Sequence, residues 1–130
     1  MLNLANKELG KLGENLAAKF LQNKGYQILQ RNYVPQFFKQ GRKEIDIVAK
    51  KDKVLVFVEV KTIEKADEFF PEDKVDFKKQ QNLLKAAENY LIEKKIPPGV
   101  PWQVDVIGII LNPGGQSPKI EHFENAIGGY

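Results

Sequence analysis

Cysteine is absent from the 130-residue chain. Neither a disulfide framework nor a thiolate metal site can therefore form, and that absence suits a reducing compartment. Long apolar runs are also missing, since the longest, VIGIIL at 106–111, is far too short to span a bilayer. The first residues lack the apolar core of a signal peptide. We therefore expect a cytoplasmic protein with no membrane partner.

The net charge is only +3, but the charged residues are unevenly distributed along the chain. Residues 1–43 carry eight basic and two acidic side chains, whereas residues 44–130 carry twelve basic and fifteen acidic ones. A basic first third beside acidic strands is compatible with a phosphate-facing surface near a metal-binding cluster. Charge alone favours the simpler interpretation, a solvated basic helix face, because mild basicity is common.

The chain is long enough for one domain, residues 1–130, and its 42% hydrophobic content can supply a small core. Its periodicity predicts the order α-β-β-β-α-β, with a short last strand at 119–123 and a tail that can fray. The simplest layered arrangement is an α/β fold, a mixed sheet with a helix on each side. The predicted helices are 5–24 and 73–95, and the other predicted strands are 26–32, 44–49, 54–61 and 102–111.

Two polar residues lie on or beside the apolar faces of these helices. The first apolar arc is predicted to comprise Leu9, Leu12, Leu16 and Phe20, with Gly13, Ala17 and Leu21 to one side. The second is predicted to comprise Phe77, Leu84 and Leu91, widened by Leu83, Ala86, Ala87 and Tyr90. Glu14 borders the first arc and Gln80 lies on the second, so both can reach the sheet. The alternatives are a solvated edge for Glu14 and a hydrogen bond to a strand carbonyl for Gln80.

Strands 44–49 and 54–61 carry charge where a protein interior favours apolar residues. The short polar turn KKDK predicts that they pair as an antiparallel hairpin. A loop with an even number of residues would put Asp46 on the face of Glu59 and Lys61, with Asp46 opposite or nearly opposite Phe57. An odd loop would put them on opposite faces, and the sequence leaves both open.

On the even-loop hypothesis, two carboxylates and a lysine converge on one face. Buried carboxylates repel each other and lose hydration, and a divalent cation relieves both effects. A few oxygen ligands completed by water suit Mg²⁺, and a neighbouring lysine can stabilise developing negative charge. Such a set suits phosphodiester cleavage. The simpler alternative is a solvated cross-strand ion pair, because a bare ExK pattern is weak.

The chain resembles the YraN-like bacterial family. The resemblance rests on GKLGENLAAKFLQNKGYQILQRNY, EIDIVAKKDKVLVFVEVKT, VDFKKQQNLLKAAENYL, WQVDVIGI and IEHFENAI, which cover nearly the whole chain. That family is assigned to the PD-(D/E)xK, or restriction-endonuclease-like, superfamily, and is similar to archaeal Holliday-junction resolvases. The resemblance implies a restriction-endonuclease-like domain and a DNA nuclease that uses Mg²⁺, with Mn²⁺ as a substitute.

The resemblance also implies residue roles. Asp46 and Glu59 would bind the metal, and the catalytic set would be Asp46, Glu59, Lys61, Gln80 and Glu14. The residues expected to contact nucleic acid are Lys7, Lys11, Lys39, Arg42, Lys43 and Lys79. Departures from the family pattern at Val34, Lys43, Ile63 and a longer loop before Glu44 affect expected substrate contacts more than the metal ligands.

Three functions follow from these patterns. The first is a Mg²⁺-dependent DNA endonuclease acting on branched or damaged DNA, with DNA as its partner, without a small-molecule cofactor and with a homodimer left open. The second is a nucleic-acid-binding module that keeps the fold but cuts weakly. The third is a structural protein whose strand charges are solvated ion pairs. The only histidine, His122, is expected at the surface or a sheet edge without a catalytic role.

Overall fold

A computed structural model describes residues 6–36, 44–64, 76–112 and 117–127. These residues form two helices and five strands in the predicted order. The helices are α1 (Asn6–Asn23) and α2 (Phe77–Glu93), and the strands are β1 (Gln27–Tyr33), β2 (Ile45–Lys51), β3 (Val54–Ile63), β4 (Trp102–Ile110) and β5 (Lys119–Ile127). Within these ranges, no helix is long and apolar enough to cross a membrane.

The five strands form one sheet in chain order, β1-β2-β3-β4-β5. Only β3 and β4 are parallel, and α2 connects them, whereas the other three pairs are antiparallel. The sheet is therefore mixed, as predicted. Parallel neighbours need a crossover rather than a hairpin, which explains why the long helix lies between these two strands in the chain.

Each helix covers one face of the sheet, which confirms the predicted α/β layers. Leu21 of α1 packs with Val58 and Ile107, whereas Leu83 of α2 packs with Phe57 on the other face. Because strand side chains alternate, neighbouring positions of β3 contribute to different cores. The continuous apolar run from Val54 to Val58 is therefore typical of a strand that is covered on both sides.

Both predicted helix faces are confirmed in part, with corrections at Leu12 and Phe77. In α1 the buried face comprises Gly13, Ala17, Ala18 and Leu21, while Leu12 is exposed. In α2, Phe77 is 73% exposed. The buried side of α2 comprises Leu83, Leu84, Ala86, Ala87 and Tyr90. Alanines and glycine let the helix backbones approach the sheet, so residue size as well as periodicity determines which face is buried.

The β2–β3 hairpin has a two-residue turn, because Lys51 pairs with Val54. Asp52 adopts a left-handed conformation, with φ of 55°, which aspartate tolerates better than most residues. The loop is thus even, and Val48 rather than Asp46 lies opposite Phe57. Continuing this register by one pair beyond Ile47 and Val58 places Asp46 opposite Glu59.

The C-terminal strand is longer than predicted. Residues 124–127, assigned from sequence to a fraying tail, belong to β5. Ile127 pairs with Val104 and is buried in the core beneath α2. Burial of the Ile127 side chain holds the end of β5 against β4. The strand pairing is irregular between Val104 and Val106, and local sequence patterns do not reveal such an irregularity.

Candidate active site

Asp46 and Glu59 meet on neighbouring strands, on the face covered by α2. Glu59 is only 4% exposed, and the two carboxyl groups share a side-chain hydrogen bond. The backbone N–H of Val60 donates to Oδ2 of Asp46 over 2.7 Å. Burial, followed by the charge of Glu59, raises the pKa of Asp46 to about 8. The two carboxyl groups therefore hold a proton more readily than exposed carboxylates do.

Two lysines compensate the charge of Glu59. The Lys61 amine lies 3.5 Å from Oε2 of Glu59, and the Lys79 amine lies 2.6 Å from the same oxygen. Burial and contact with Lys79 lower the pKa of Lys61, although Glu59 opposes the change. Burial also acts to lower the pKa of Lys79, but attraction to Glu59 outweighs it and the pKa is raised. The site thus holds two cations with different proton affinities.

A cavity of about 460 Å³ opens over these groups. It extends from the sheet to the first turn of α2, where the side chain of Asp76 accepts a hydrogen bond from the backbone N–H of Lys79 at 2.8 Å. The cavity is lined by Glu44, Asp46, Glu59, Asp76, Lys78, Lys79, Asn82 and Leu83. Sequence reasoning missed Glu44, Asp76 and Asn82, since only the tertiary fold brings the hairpin and the helix start together.

Glu14 lies on the other side of the sheet, beneath α1. Its Oε1 accepts hydrogen bonds from Arg31 at 3.0 and 2.9 Å and from Asn32 at 3.0 Å. The side chain is buried, so the solvated-edge alternative is wrong. Its charge is a small contributor to the raised pKa of Asp46. Glu14 therefore influences the carboxylate pair, with Arg31 as its direct partner.

A second depression of about 420 Å³ joins Glu14 to the carboxylate pair. Asp46 and Glu44 line both cavities, so they stand where the two meet. Lys7 and Lys11, two residues expected to contact nucleic acid, are exposed and line this second depression. Lys79, a third, contacts Glu59, and the other three expected contacts, Lys39, Arg42 and Lys43, lie outside the described residues.

A close contact holds α1 against this end of β3. A Cβ atom added to Gly13 would overlap the Thr62 side chain, beginning with its hydroxyl. The Thr62 hydroxyl is buried and has no hydrogen-bond partner. Glycine at position 13 thus allows the helix to approach the strand, and this approach places the next residue, Glu14, beside the sheet.

Gln80 lies in the first turn of α2 and is half-buried. Its backbone N–H donates to the carbonyl of Asp76 over 2.9 Å. The position immediately follows Lys79, so Gln80 shares the helix turn that contacts Glu59. A direct approach of its amide to Lys61 stays a prediction.

Sequence reasoning also missed a buried carboxylate on β4. Asp105 is fully buried, and its Oδ2 lies 2.7 Å from Nε2 of His122. Its Oδ1 accepts hydrogen bonds from Gln103 at 2.9 Å and from the backbone N–H of Asn125 at 2.8 Å. The His122 side chain is 4% exposed, so the surface alternative is wrong although β5 is an edge strand. The sequence does contain a signal for this buried carboxylate, because valines flank Asp105 as isoleucines flank Asp46.

The site offers a hard divalent cation only a small number of oxygen ligands. Among the described ranges, no group of three or more His, Cys, Asp or Glu side chains converges as a metal site. The carboxyl groups of Asp46 and Glu59 lie next to each other, and Glu59 already attracts the ammonium group of Lys79. Mg²⁺ commonly binds through one or two carboxylates with water and substrate phosphates as the other ligands. Asp46 and Glu59 meet that requirement.

Comparisons with known proteins support one family. The model of the family described as "Uncharacterised protein family UPF0102" matches residues 13–109, a range that holds Glu14, Asp46, Glu59 and α2. A UPF0102 protein from Dictyoglomus turgidum is 40% identical over 121 residues, or 93% of this chain and 98% of that protein. One from Flavobacterium johnsoniae is 42% identical over 123 residues, or 93% and 94% of the two chains. One from Clostridium botulinum is 37% identical over 125 residues, or 96% and 98%.

Proposed function

The chain belongs to the UPF0102 family, and we propose that it is a divalent-metal-dependent nuclease that cleaves phosphodiester bonds in DNA. The observation that carries the proposal is the contact between Asp46 and Glu59 at the wall of a cavity, with the amines of Lys61 and Lys79 beside Glu59. Carboxylates forced together beside cations are costly to a fold, and such perturbed groups cluster at functional sites. A solvated ion pair would not need the burial of Glu59.

Asp46 and Glu59 are the residues that would hold the metal, Mg²⁺ with Mn²⁺ as a substitute. The ion would supply Lewis-acid charge that stabilises the phosphate in the transition state. The Val60 N–H fixes the direction of the Asp46 carboxyl group through its 2.7 Å hydrogen bond. The rigid hairpin fixes Glu59. Both ligands thus come from paired strands rather than loops, which favours precise placement.

Lys61 is the proposed transition-state cation. It is half-buried beside Glu59, and its pKa is lowered, so its charge acts in a partly desolvated environment. Electrostatic stabilisation is strongest in such surroundings. Lys78 and Lys79 line the cavity at the start of α2, where their charges would attract phosphate oxygens of an entering DNA strand.

Glu14 and Gln80 complete the proposed catalytic set in supporting roles. Glu14 acts through the field that it exerts on Asp46, and it orients Arg31 at the second depression. Gln80 is assigned to orient Lys61 or a water molecule from the first turn of α2. Dispersed cations, including Lys7 and Lys11, would bind the DNA backbone without reading sequence.

The proposed substrate class is branched or damaged DNA. Its support is the resemblance to the restriction-endonuclease-like superfamily and to archaeal Holliday-junction resolvases, with residues 1–130 as one such domain. A homodimer belongs to the proposal, since two copies would present two sites to two strands and double the basic surface. The modest net charge of one chain favours such a doubling, because phosphate neutralisation dominates DNA affinity.

The decisive experiment offers end-labelled single-stranded, duplex, flap and four-way-junction DNA to the purified protein with Mg²⁺ or Mn²⁺. We expect metal-dependent cleavage that Asp46→Ala and Glu59→Ala abolish. Glu88→Ala, on an exposed position of α2, is the matched control and should cut as the parent does. If both carboxylate variants still cleaved DNA, the activity would come from a contaminating nuclease.

One observation favours a second function, a nucleic-acid-binding module that cuts weakly. Lys79 contacts Glu59 at 2.6 Å, so an ammonium group already neutralises one of the two proposed ligands. A site satisfied in this way has less need of a metal. Under this alternative, calorimetric titration with Mn²⁺ gives the same weak heat for the parent and Asp46→Ala, while the parent still binds junction DNA.

A further inference from the structure

A rigid apolar ridge lies at the other end of the sheet from the carboxylate pair. We call residues 96–101, IPPGVP, the proline ridge. Its Pro101 carbonyl accepts a hydrogen bond from Leu55 N–H at 3.0 Å, at the start of β3. Glu59 is four residues further along, about 13 Å at roughly 3.3 Å per strand residue. The ridge and the candidate active site can therefore be altered independently.

The backbone of the proline ridge is fixed in place. Its first residue, Ile96, donates an N–H to the Leu91 carbonyl at 2.9 Å, which ties it to the end of α2. Lys95 and Gly99 adopt positive φ angles of 54° and 95°. Three prolines further restrict the segment. A binding surface that is already ordered loses little conformational entropy when a partner docks.

Two depressions flank the proline ridge and share residues 96–100. The larger, about 750 Å³, has Leu29 and Leu55 on its walls and Lys50 and Lys53 at its rim. The smaller, about 410 Å³, is lined by Leu91, Ile92 and Trp102, with Lys95. Ile92 is 76% exposed and Leu29 is 39% exposed. The two depressions together form one apolar surface on either side of the proline ridge, which we call the ridge groove.

The charge of the ridge groove has one sign. Lys50, Lys53 and Lys95 are all exposed, and the described residues that line the two depressions include no aspartate or glutamate. An apolar groove bordered by cations complements a segment that carries both apolar side chains and carboxylates. The cavity over Asp46 and Glu59 is lined by four acidic side chains and two lysines, so it complements an acidic segment less well.

We propose that the ridge groove is a docking site for an acidic, apolar peptide segment of a partner protein. Apolar side chains of the segment enter the two depressions on either side of the ridge, and its carboxylates pair with the three lysines. Nucleic acid is the poorer occupant because, among the described residues, Trp102 of the smaller depression is the single aromatic side chain that lines the groove, whereas stacking of successive bases needs several such platforms. The partner would bring the protein to its place of action while leaving the carboxylate site open.

The test selects binding peptides from a displayed library of random twelve-residue sequences, with the whole parent protein as the immobilised target. Enriched sequences are then synthesised with a fluorescent label, and their affinity is measured by anisotropy. We expect enrichment of peptides that combine two or more acidic residues with large apolar ones. Their affinity should fall with added salt, as expected for pairing between exposed charges.

Groove variants locate the binding. Lys50→Glu with Lys53→Glu should weaken the selected peptides at least tenfold, and Leu29→Ser with Ile92→Ser should do so separately. All four positions are exposed or bear exposed surface, so these changes spare the core. Lys19→Glu with Lys85→Glu, exposed on the two helices, is the control of equal charge and should bind as the parent does.

Four outcomes would overturn the proposal. Enriched peptides without acidic residues, or peptides that bind the groove variants as tightly as the parent, would show that the ridge groove is not their site. A parent dimer that Lys50→Glu with Lys53→Glu converts to a monomer in sedimentation would identify a second copy as the occupant. Weaker binding of duplex DNA by that variant, but not by the control, would make the groove a nucleic-acid contact.

Discussion

The Lys79 amine lies 2.6 Å from Oε2 of Glu59, whereas the Lys61 amine lies 3.5 Å from the same oxygen. The strand motif that contains Glu59 and Lys61 thus obtains its nearest counter-charge from α2. Removal of this helix contact would leave a carboxylate that is only 4% exposed beside a half-buried lysine. The candidate site therefore belongs to the packed assembly of hairpin and helix, and each of its charges depends on the others.

Lys79 should compete with a divalent cation for Glu59. Lys79→Gln removes the nearest positive charge, so Mn²⁺ should bind about tenfold more tightly, equivalent to about 1.4 kcal/mol. Isothermal titration calorimetry of the parent and the variant measures the change. Lys78→Gln, an exposed neighbour at the same cavity, should change the affinity much less. Weaker Mn²⁺ binding in Lys79→Gln would instead mean that the ammonium orients the carboxylate for the ion.

Asp46 should make the metal-free protein less stable as pH rises. Its pKa is raised from 3.8 to about 8 by burial and by Glu59, so the folded state keeps a proton that the unfolded state releases. The stabilisation is complete below about pH 4 and is lost as pH approaches 8, with a slope of about 1.4 kcal/mol per pH unit for one proton. Urea unfolding in the presence of a chelator at several pH values measures this slope.

Asp46→Asn provides the matched comparison for that measurement. The amide keeps the shape of the side chain and cannot ionise, so the free energy of unfolding should vary less between pH 4 and 8. A variant whose stability follows pH as steeply as the parent would show that another group is responsible. The variant should also be the more stable of the two at pH 8.

Pattern and turn length were sufficient to predict much of the fold from sequence. Strand periodicity and the short KKDK turn located the hairpin, but the sequence left open whether its loop is even, which puts Asp46 and Glu59 on one face. A two-residue turn determines the register of the strands that it joins. The expected register differed by two residues, since Val48 rather than Asp46 faces Phe57.

Contacts between distant segments were not predictable from one sequence. The Lys79–Glu59 contact depends on the position of α2 above the sheet, and Asp105 meets His122 across β4 and β5. Phe77 has the apolar character of a core residue, yet it stands at the first position of α2 and is 73% exposed. Tertiary position overrode side-chain preference there.

Gly13→Ala should destabilise the protein by about 1–3 kcal/mol, the usual cost of overpacking a core. The new methyl group would overlap the Thr62 side chain, and α1 would have to move away from β3. Denaturant unfolding gives the change in free energy. Gly10→Ala is the control, since a Cβ there meets no atom within 4 Å.

Thr62→Ala tests the cause of that cost. The Thr62 hydroxyl is buried without a hydrogen-bond partner, so its removal alone should change stability little. Combined with Gly13→Ala it removes the two side-chain atoms beyond Cβ that the methyl group would meet, and part of the lost stability should return. Strictly additive effects in the double-mutant cycle would place the strain elsewhere.

Lys61→Ala should separate cleavage from DNA binding. The lysine stands half-buried beside Glu59, so its charge acts where negative charge develops in the transition state rather than on the exposed DNA backbone. We expect the cleavage rate to fall roughly a hundredfold to a thousandfold, the range for a lost electrostatic stabiliser. The dissociation constant for the same junction DNA should change by only a small factor.

Two further variants make the result specific to Lys61. Glu59→Ala sets the rate of a site that has lost one of its proposed metal ligands. Lys11→Ala, exposed on α1, should weaken binding modestly, while single-turnover cleavage at saturating protein stays near that of the parent. A Lys61→Ala protein that cuts as fast as the parent would remove the lysine from the catalytic set. Proportional loss of binding and cleavage would make Lys61 a phosphate contact, and the binding-module function would then be the better description, because every cation at the site would serve affinity alone.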